Sequence, residues 1–182
     1  TSYTDLAGNN GSAKTTANYR VDTRKPTLSE ITAVSTPTDD NTPNYTFSSN
    51  EAGTITYGGS CSSSSSSASA TNNTITFNAL NDGTTYSDCT ITVTDASGNT
   101  SSALAVTSFT VAIPPVLAEV TAVPTPTDNN TPNYTFSSTE AGIISYGGAC
   151  GSSSSSTATS GNNTVTLTQQ DNSTALSDGT YD

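Results

Sequence analysis

The chain repeats itself at a distance of about 90 residues, and this period limits its folds more than any other feature. PTDDNTPNYTFSS at 37–49 returns as PTDNNTPNYTFSS at 126–138, and LSEITAV at 28–34 returns as LAEVTAV at 117–123. TDASGNTSSALAVTSFTV at 94–111 has an earlier counterpart in TDLAGNNGSAKTTANYRV at 4–21. A unit of this length is long for a solenoid turn and right for a small β-domain. The sequence therefore reads as the tail of one repeat (1–24), one whole repeat (25–113) and the front of a third (114–182), a segment of a longer array.

Within the whole repeat the apolar residues alternate with Thr, Ser or Asn, and no stretch runs at the 3.6-residue period of a helix. Strands are expected over 28–34, 44–49, 54–59, 74–80, 86–94 and 104–113, with a short one inside the serine tract. Pro37, Pro43, Gly53, Asn81-Asp82-Gly83 and Ser97-Gly98-Asn99 punctuate them. Six or seven short strands in one repeat predict an all-β, immunoglobulin-like sandwich. Parity puts Tyr45 and Phe47, Ile55 and Tyr57, Ile75 and Phe77, Ile91 and Val93, and Phe109, Val111 and Ile113 on inward faces. The partners facing water are mostly Thr, which is β-branched and suits a strand while staying polar. A chain that is only 31% hydrophobic can therefore still bury a core.

Cys61 and Cys89 both have inward parity, at chain positions that an immunoglobulin-like plan brings to one pole. A Cys61–Cys89 bridge is expected, and two reduced core thiols are the alternative. A bridge implies an oxidising setting outside the cytoplasm. Cys150 aligns with Cys61, so its partner is expected beyond this segment or in a neighbour. The six serines that follow Cys61 are expected to form an irregular, solvated loop, with O-linked sugar as a second reading.

The net charge is −11, and Lys14, Arg20, Arg24 and Lys25 are the only cations, all within the first 25 residues. The remaining 157 residues hold thirteen carboxylates and no Lys or Arg, which excludes a surface that tracks phosphates and argues against nucleic acid as a partner. No run approaches the roughly 20 apolar residues of a membrane-spanning helix. There is no His, hence no ordinary Ser-His or Cys-His nucleophile pair, and the chain reads as non-catalytic. Asp39-Asp40 sits between two prolines and reads as turn-forming acid, not as a glycosidase pair.

TPTDDNTPNYTFSSNEAGTITYGG, DGTTYSDCTITVTDASGN and the junction VDTRKPTLSE carry a resemblance to the bacterial Ig-like tandem repeats of very large secreted or surface-anchored, adhesin-like proteins. The resemblance covers the whole chain. It implies a stalk or fibre segment at the cell surface, with neighbouring repeats or identical chains as partners end to end. Asp82-Gly83 followed by Tyr86 also resembles a tyrosine corner, although here the tyrosine precedes Cys89 by three residues where the motif has two.

Arrays that this chain resembles often hold calcium at their junctions. The candidate ligands are Asp22 in the junction, Asp39, Asp40 and Asp82 at one pole, and Glu51, Asp95 and Asn99 at the other, all hard oxygen donors. No spaced loop like an EF-hand is present, and Asp95-x-x-Gly98-Asn99 also works as a plain hairpin turn. The second junction, VAIPPVLAE, has no acid where the first has Asp22. Two further readings are a filament subunit, in which the 1–24 tail completes the third repeat of another chain by strand addition, and a carbohydrate-binding module.

Overall fold

A computed structural model describes residues 3–181. The protein is all-β: the described residues form fifteen strands, and no helix is long and apolar enough to cross a membrane. The chain divides into two units, the first ending at Ile113 and the second beginning at Pro114.

The first unit contains β1 (Leu28–Thr32), β2 (Asn44–Ser49), β3 (Gly53–Gly58), β4 (Ser67–Ala68), β5 (Asn72–Thr76), β6 (Thr85–Tyr86), β7 (Thr90–Thr94), β8 (Leu104–Ala105) and β9 (Phe109–Thr110). One sheet has the order β1-β2-β5 and a second β4-β3-β7-β8, while β6 and β9 pair separately. The pairings between these strands are antiparallel. A single core joins the two larger sheets: Tyr45, Phe47 and Ile75 from one pack with Ile55, Ile91 and Val93 from the other. A row of rings runs through it, Phe47 to Tyr45 to Phe77 to Phe109 to Tyr86, with neighbouring centroids 5.5–6.4 Å apart. The inward parity of the sequence holds, although Tyr57 and Ile113 are only half-buried. On the wet faces, threonines pair across strands, Thr46 with Thr74 and Thr85 with Thr110, hydroxyl to hydroxyl at 2.8 Å.

Two expected strands are each broken in two. The span 86–94 divides at Ser87–Cys89, and 104–113 divides at 106–108. The first half of each pairs in one sheet and the second half in another. Val106 N–H donates to the Cys89 carbonyl at 3.0 Å and closes the β7–β8 ladder. The next amide, Thr107 N–H, turns instead to the Glu30 carboxylate at 3.0 Å, and the Thr107 hydroxyl donates to the same group at 2.7 Å. A side chain of β1 thus takes the donor that a strand partner would have used.

Glu30 sits at this break beside Tyr45. The Tyr45 hydroxyl is sealed from solvent, and its contact with Glu30 is looser than an ordinary hydrogen bond. Burial, then the contact with Glu30 and its charge, push the phenol far above its usual range. For Glu30 burial pushes upward, but the Thr107 N–H and O–H outweigh it and hold the carboxyl below the ordinary value of 4.5. A depressed carboxyl stabilises the fold above its unfolded value, and that contribution disappears as pH falls through the folded value. Glu30→Gln is therefore expected to cost about 1 kcal/mol at pH 7. Urea unfolding should show that cost shrinking as pH falls below 4.5; a pH-independent difference would reject the assignment.

The serine tract is irregular and largely exposed over Ser62–Ser66 and ends in the short strand β4, as expected, but it is tied down by hydrogen bonds. Tyr57 Oη donates to the Ser65 carbonyl at 2.6 Å, Ile55 N–H to Ser66 O at 2.9 Å, and Asn78 N–H to Ser62 O at 2.8 Å. Ser63 Oγ donates to Thr76 O at 2.6 Å and accepts from Ser65 N–H. The tract is a strap between the sheets. Serine suits it because a short hydroxyl side chain can serve a nearby backbone group without needing core space. The preceding YGG is explained by close approach. Gly59 has φ +74°, and a Cβ there would lie 2.1 Å from the Asp88 carbonyl oxygen.

The second unit holds β10 (Leu117–Thr121), β11 (Asn133–Ser138), β12 (Gly142–Ile143), β13 (Cys150–Ser152), β14 (Thr157–Ala158) and β15 (Gly161–Gln169). β10 and β11 pair with the same relative register and the same irregularity as β1 and β2, Glu119 standing where Glu30 stands. The sheet order is β10-β11-β15-β13, with β12-β14 apart. Its core is small: Phe136, Ala158 and Val165, flanked by Tyr134, Ile144, Tyr146 and Leu167. Leu117, the counterpart of half-buried Leu28, is 64% exposed.

Candidate metal centre

Cys61 and Cys89 are bonded, with Cα atoms 5.3 Å apart. This bridge fixes the start of the serine strap against the start of β7. Cys150 is free and half-buried in β13, opposite Gln169. The disulfide is chemistry of an oxidising environment.

Asp22, Glu51 and Asp95 offer one carboxylate oxygen each, all within 4.8 Å of one another. They come from three separate segments: the stretch before β1, the β2–β3 turn and the turn after β7. Each is placed by local chemistry. Asp95 Oδ1 accepts from the Ser97 and Asn99 amides at 2.8 Å, and its Oδ2 accepts from Asn99 Nδ2 at 2.8 Å. The Asn99 side chain foremost, and then these amides, hold the Asp95 carboxyl below its ordinary value. Asn99 Nδ2 also donates to the Asp22 carbonyl at 3.2 Å and so draws the upstream segment onto the turn. Ser49 Oγ accepts from the Glu51 amide at 3.3 Å and donates to its carbonyl, leaving the Glu51 side chain out of the turn's own bonding. Arg20 reaches Asp22 at 3.6 Å, a contact that residue order did not announce.

The Asp95 turn does not need the other acids in order to form. Asp5–Asn9 makes the same turn, Asp5 Oδ1 accepting from Ala7 and Asn9 amides and Oδ2 from Asn9 Nδ2. What distinguishes the Asp95 copy is the arrival of Asp22 and Glu51. Three like charges at this spacing repel by about 1 kcal/mol per pair in water and more where solvent is excluded. A hard divalent cation would reverse that sign. Calcium–oxygen distances of about 2.3–2.6 Å allow ligand oxygens to lie up to roughly 5 Å apart, so the triad fits around one ion. The donors are all oxygen, which suits calcium and not zinc.

The other sequence candidates stand elsewhere. Asp40 Oδ1 caps its own turn, accepting from Thr42 N–H at 2.8 Å and from the Thr42 hydroxyl at 3.0 Å. Asp82 Oδ1 accepts from Ile113 N–H at 2.7 Å. Asp39 is exposed beside them, and Asp39, Asp40 and Asp82 join no group of three acids among the described residues. Of the seven candidate ligands, the structure brings three carboxylates together, Asp22, Glu51 and Asp95, while Asn99 joins them as a hydrogen-bond donor through Nδ2.

Glu51→Gln separates an ion site from a plain acidic patch. Without divalent ion it is expected to raise the thermal midpoint slightly by relieving repulsion. With calcium at 100 times its dissociation constant, the unaltered chain should gain about 2.7 kcal/mol and the variant much less. Calorimetry with and without chelator checks this, and calcium-independent midpoints in both chains would exclude the site.

No protein-family model, curated protein or solved structure matches this chain.

Proposed function

We propose that the chain is a segment of an extracellular stalk or fibre built from immunoglobulin-like repeats, a non-catalytic spacer at a cell surface whose junction is stiffened by calcium. The position of Asp22 carries this reading. It precedes the first strand of the sandwich, yet it lies against Glu51 and Asp95 on two of that sandwich's turns. An ion held there would fasten whatever comes before the repeat to the repeat itself. Ala112 stands where Asp22 stands in the second junction, which is then expected to be looser.

Two features support the immunoglobulin-like plan. The order β1-β2-β5 opposite β4-β3-β7-β8 corresponds to strands A-B-E facing C′-C-F-G. The Tyr86 hydroxyl accepts from the Asn81 amide at 2.8 Å, the backbone anchor of a tyrosine corner. The longest strands of the first unit have six residues and rise roughly 20 Å, so each repeat would add at least that much reach, with its end loops in addition. Immunoblotting of source cells is the test. A species far above 18.4 kDa, removed by protease from intact cells, is expected; an intracellular species would overturn the proposal.

A second reading, assembly of separate chains by strand addition, is favoured by one observation. The second unit has a groove of about 930 Å³ lined by Leu117, Tyr134, Phe136, Val165 and Leu167 among others. Residues 4–21 match 94–111, the stretch that covers the corresponding core in the first unit. A native species of 18.4 kDa that forms filaments would favour this alternative.

A further inference from the structure

We infer that the first unit is built to bear tension, through a shear clamp between its two terminal arms. The segment after β1 and the strand that ends the unit run side by side in the same direction, Thr38 bridging Val111 in parallel. Thr38 N–H donates to the Thr110 carbonyl at 2.9 Å, and Ala112 N–H donates to the Thr38 carbonyl at 2.8 Å. Thr110 N–H donates to Thr36 Oγ1 at 3.0 Å. Further along the same seam, Glu30 accepts the amide and hydroxyl of Thr107 at 3.0 and 2.7 Å. Five hydrogen bonds therefore join the residues through which the chain enters the unit to those through which it leaves.

Direction decides how such bonds fail. A pull on the two ends draws the first arm toward its N-terminus and the last arm toward its C-terminus. Parallel arms then slide past each other, and the bonds across the seam load together. In the antiparallel β1–β2 pair the geometry is opposite. Thr27 and Asn50 sit next to each other at its open end, Thr27 N–H donating to Asn50 Oδ1 at 2.6 Å. A pull between those two residues opens the pair one bond at a time. The Cys61–Cys89 bond adds a stop: the 28 residues it spans cannot extend when the unit unfolds. The clamp is a property of the fold, whereas its physiological use rests on the stalk reading.

Single-molecule force spectroscopy of the full chain tests this. The event belonging to the first unit is identified by its bridge. Reductant should lengthen that event alone by about 90–100 Å, the 28 tied residues at roughly 3.3–3.6 Å each. Pulled end to end, the unit is expected to unfold at several-fold higher force than when handles are placed at 27 and 50. Thr36→Val combined with Thr38→Pro removes one acceptor and one donor from the seam. It should lower the end-to-end force by a third or more and leave the 27–50 force unchanged. Equal forces in the two directions for the unaltered chain would overturn the clamp, whether or not the variant folds. A variant that weakens both directions equally would also overturn it, since that marks general destabilisation. Failure here would leave the cell-surface test of the stalk standing, and a clamp found in an intracellular protein would reject the stalk alone.

Discussion

Replacing Cys61 and Cys89 together by alanine is expected to lower the stability of the first unit by about 3–4 kcal/mol. The loop closed by the bond spans 28 residues, and the chain-entropy relation for a loop of that size gives this value. For a domain of this size the loss corresponds to a fall in thermal midpoint of roughly 15–25 °C. The bond also holds a vulnerable place. It joins the residue before the serine strap to the residue where the 86–94 stretch changes sheet, so its loss frees both at once. Calorimetry of the variant, or of the unaltered chain under reductant, should give the same shift. A midpoint that moves by no more than about 2 °C would mean that the strap's own hydrogen bonds suffice, and the entropic argument would fail.

Phe109→Ala is expected to cost about 3–5 kcal/mol, the range for deleting a buried aromatic side chain. Phe109 is 1% exposed, and its ring stacks on Phe77 at 6.0 Å and on Tyr86 at 5.5 Å. It is the link in the row of rings between the inner sheet residues and the tyrosine anchored to Asn81. Small domains have total stabilities of about 5–15 kcal/mol, so the variant should lose roughly a third of its stability or more. Urea unfolding followed by far-UV circular dichroism checks this. A loss under 1 kcal/mol would mean that the row repacks, and that the ring positions are not specific.

The alternation of apolar and polar residues makes the inward faces legible from residue order. Tyr45, Phe47, Ile75, Phe77, Ile91, Val93, Phe109 and Val111 are all buried. Strand parity needs only the period of two, which the sequence states openly. The cysteine pairing is legible for the same reason, since both residues share inward parity at one pole. Strand ends are not. The break at Thr107 depends on a carboxylate 77 residues away in β1 that claims its amide, and no local pattern announces that contact. Glu30 does carry a signal, because a charged residue at inward parity beside Leu28 demands a buried partner.

The metal candidates divide in the same way. Residue order supplies the acids but groups them by pole. Only the three-dimensional path of the 22–27 segment brings Asp22 to Glu51 and Asp95, while Asp40 and Asp82 bond within their own loops and Asp39 stays exposed. Residue order alone sets the period, the all-β character, the faces of the strands and the cysteine pair, because each follows from spacing along one strand or from the recurrence of a unit. The folded arrangement decided where strands change sheet, how the serines are used, which carboxylates meet and which backbone amides join the terminal arms. Those outcomes depend on distances between segments far apart in the chain, and such distances are set by packing the whole core at once.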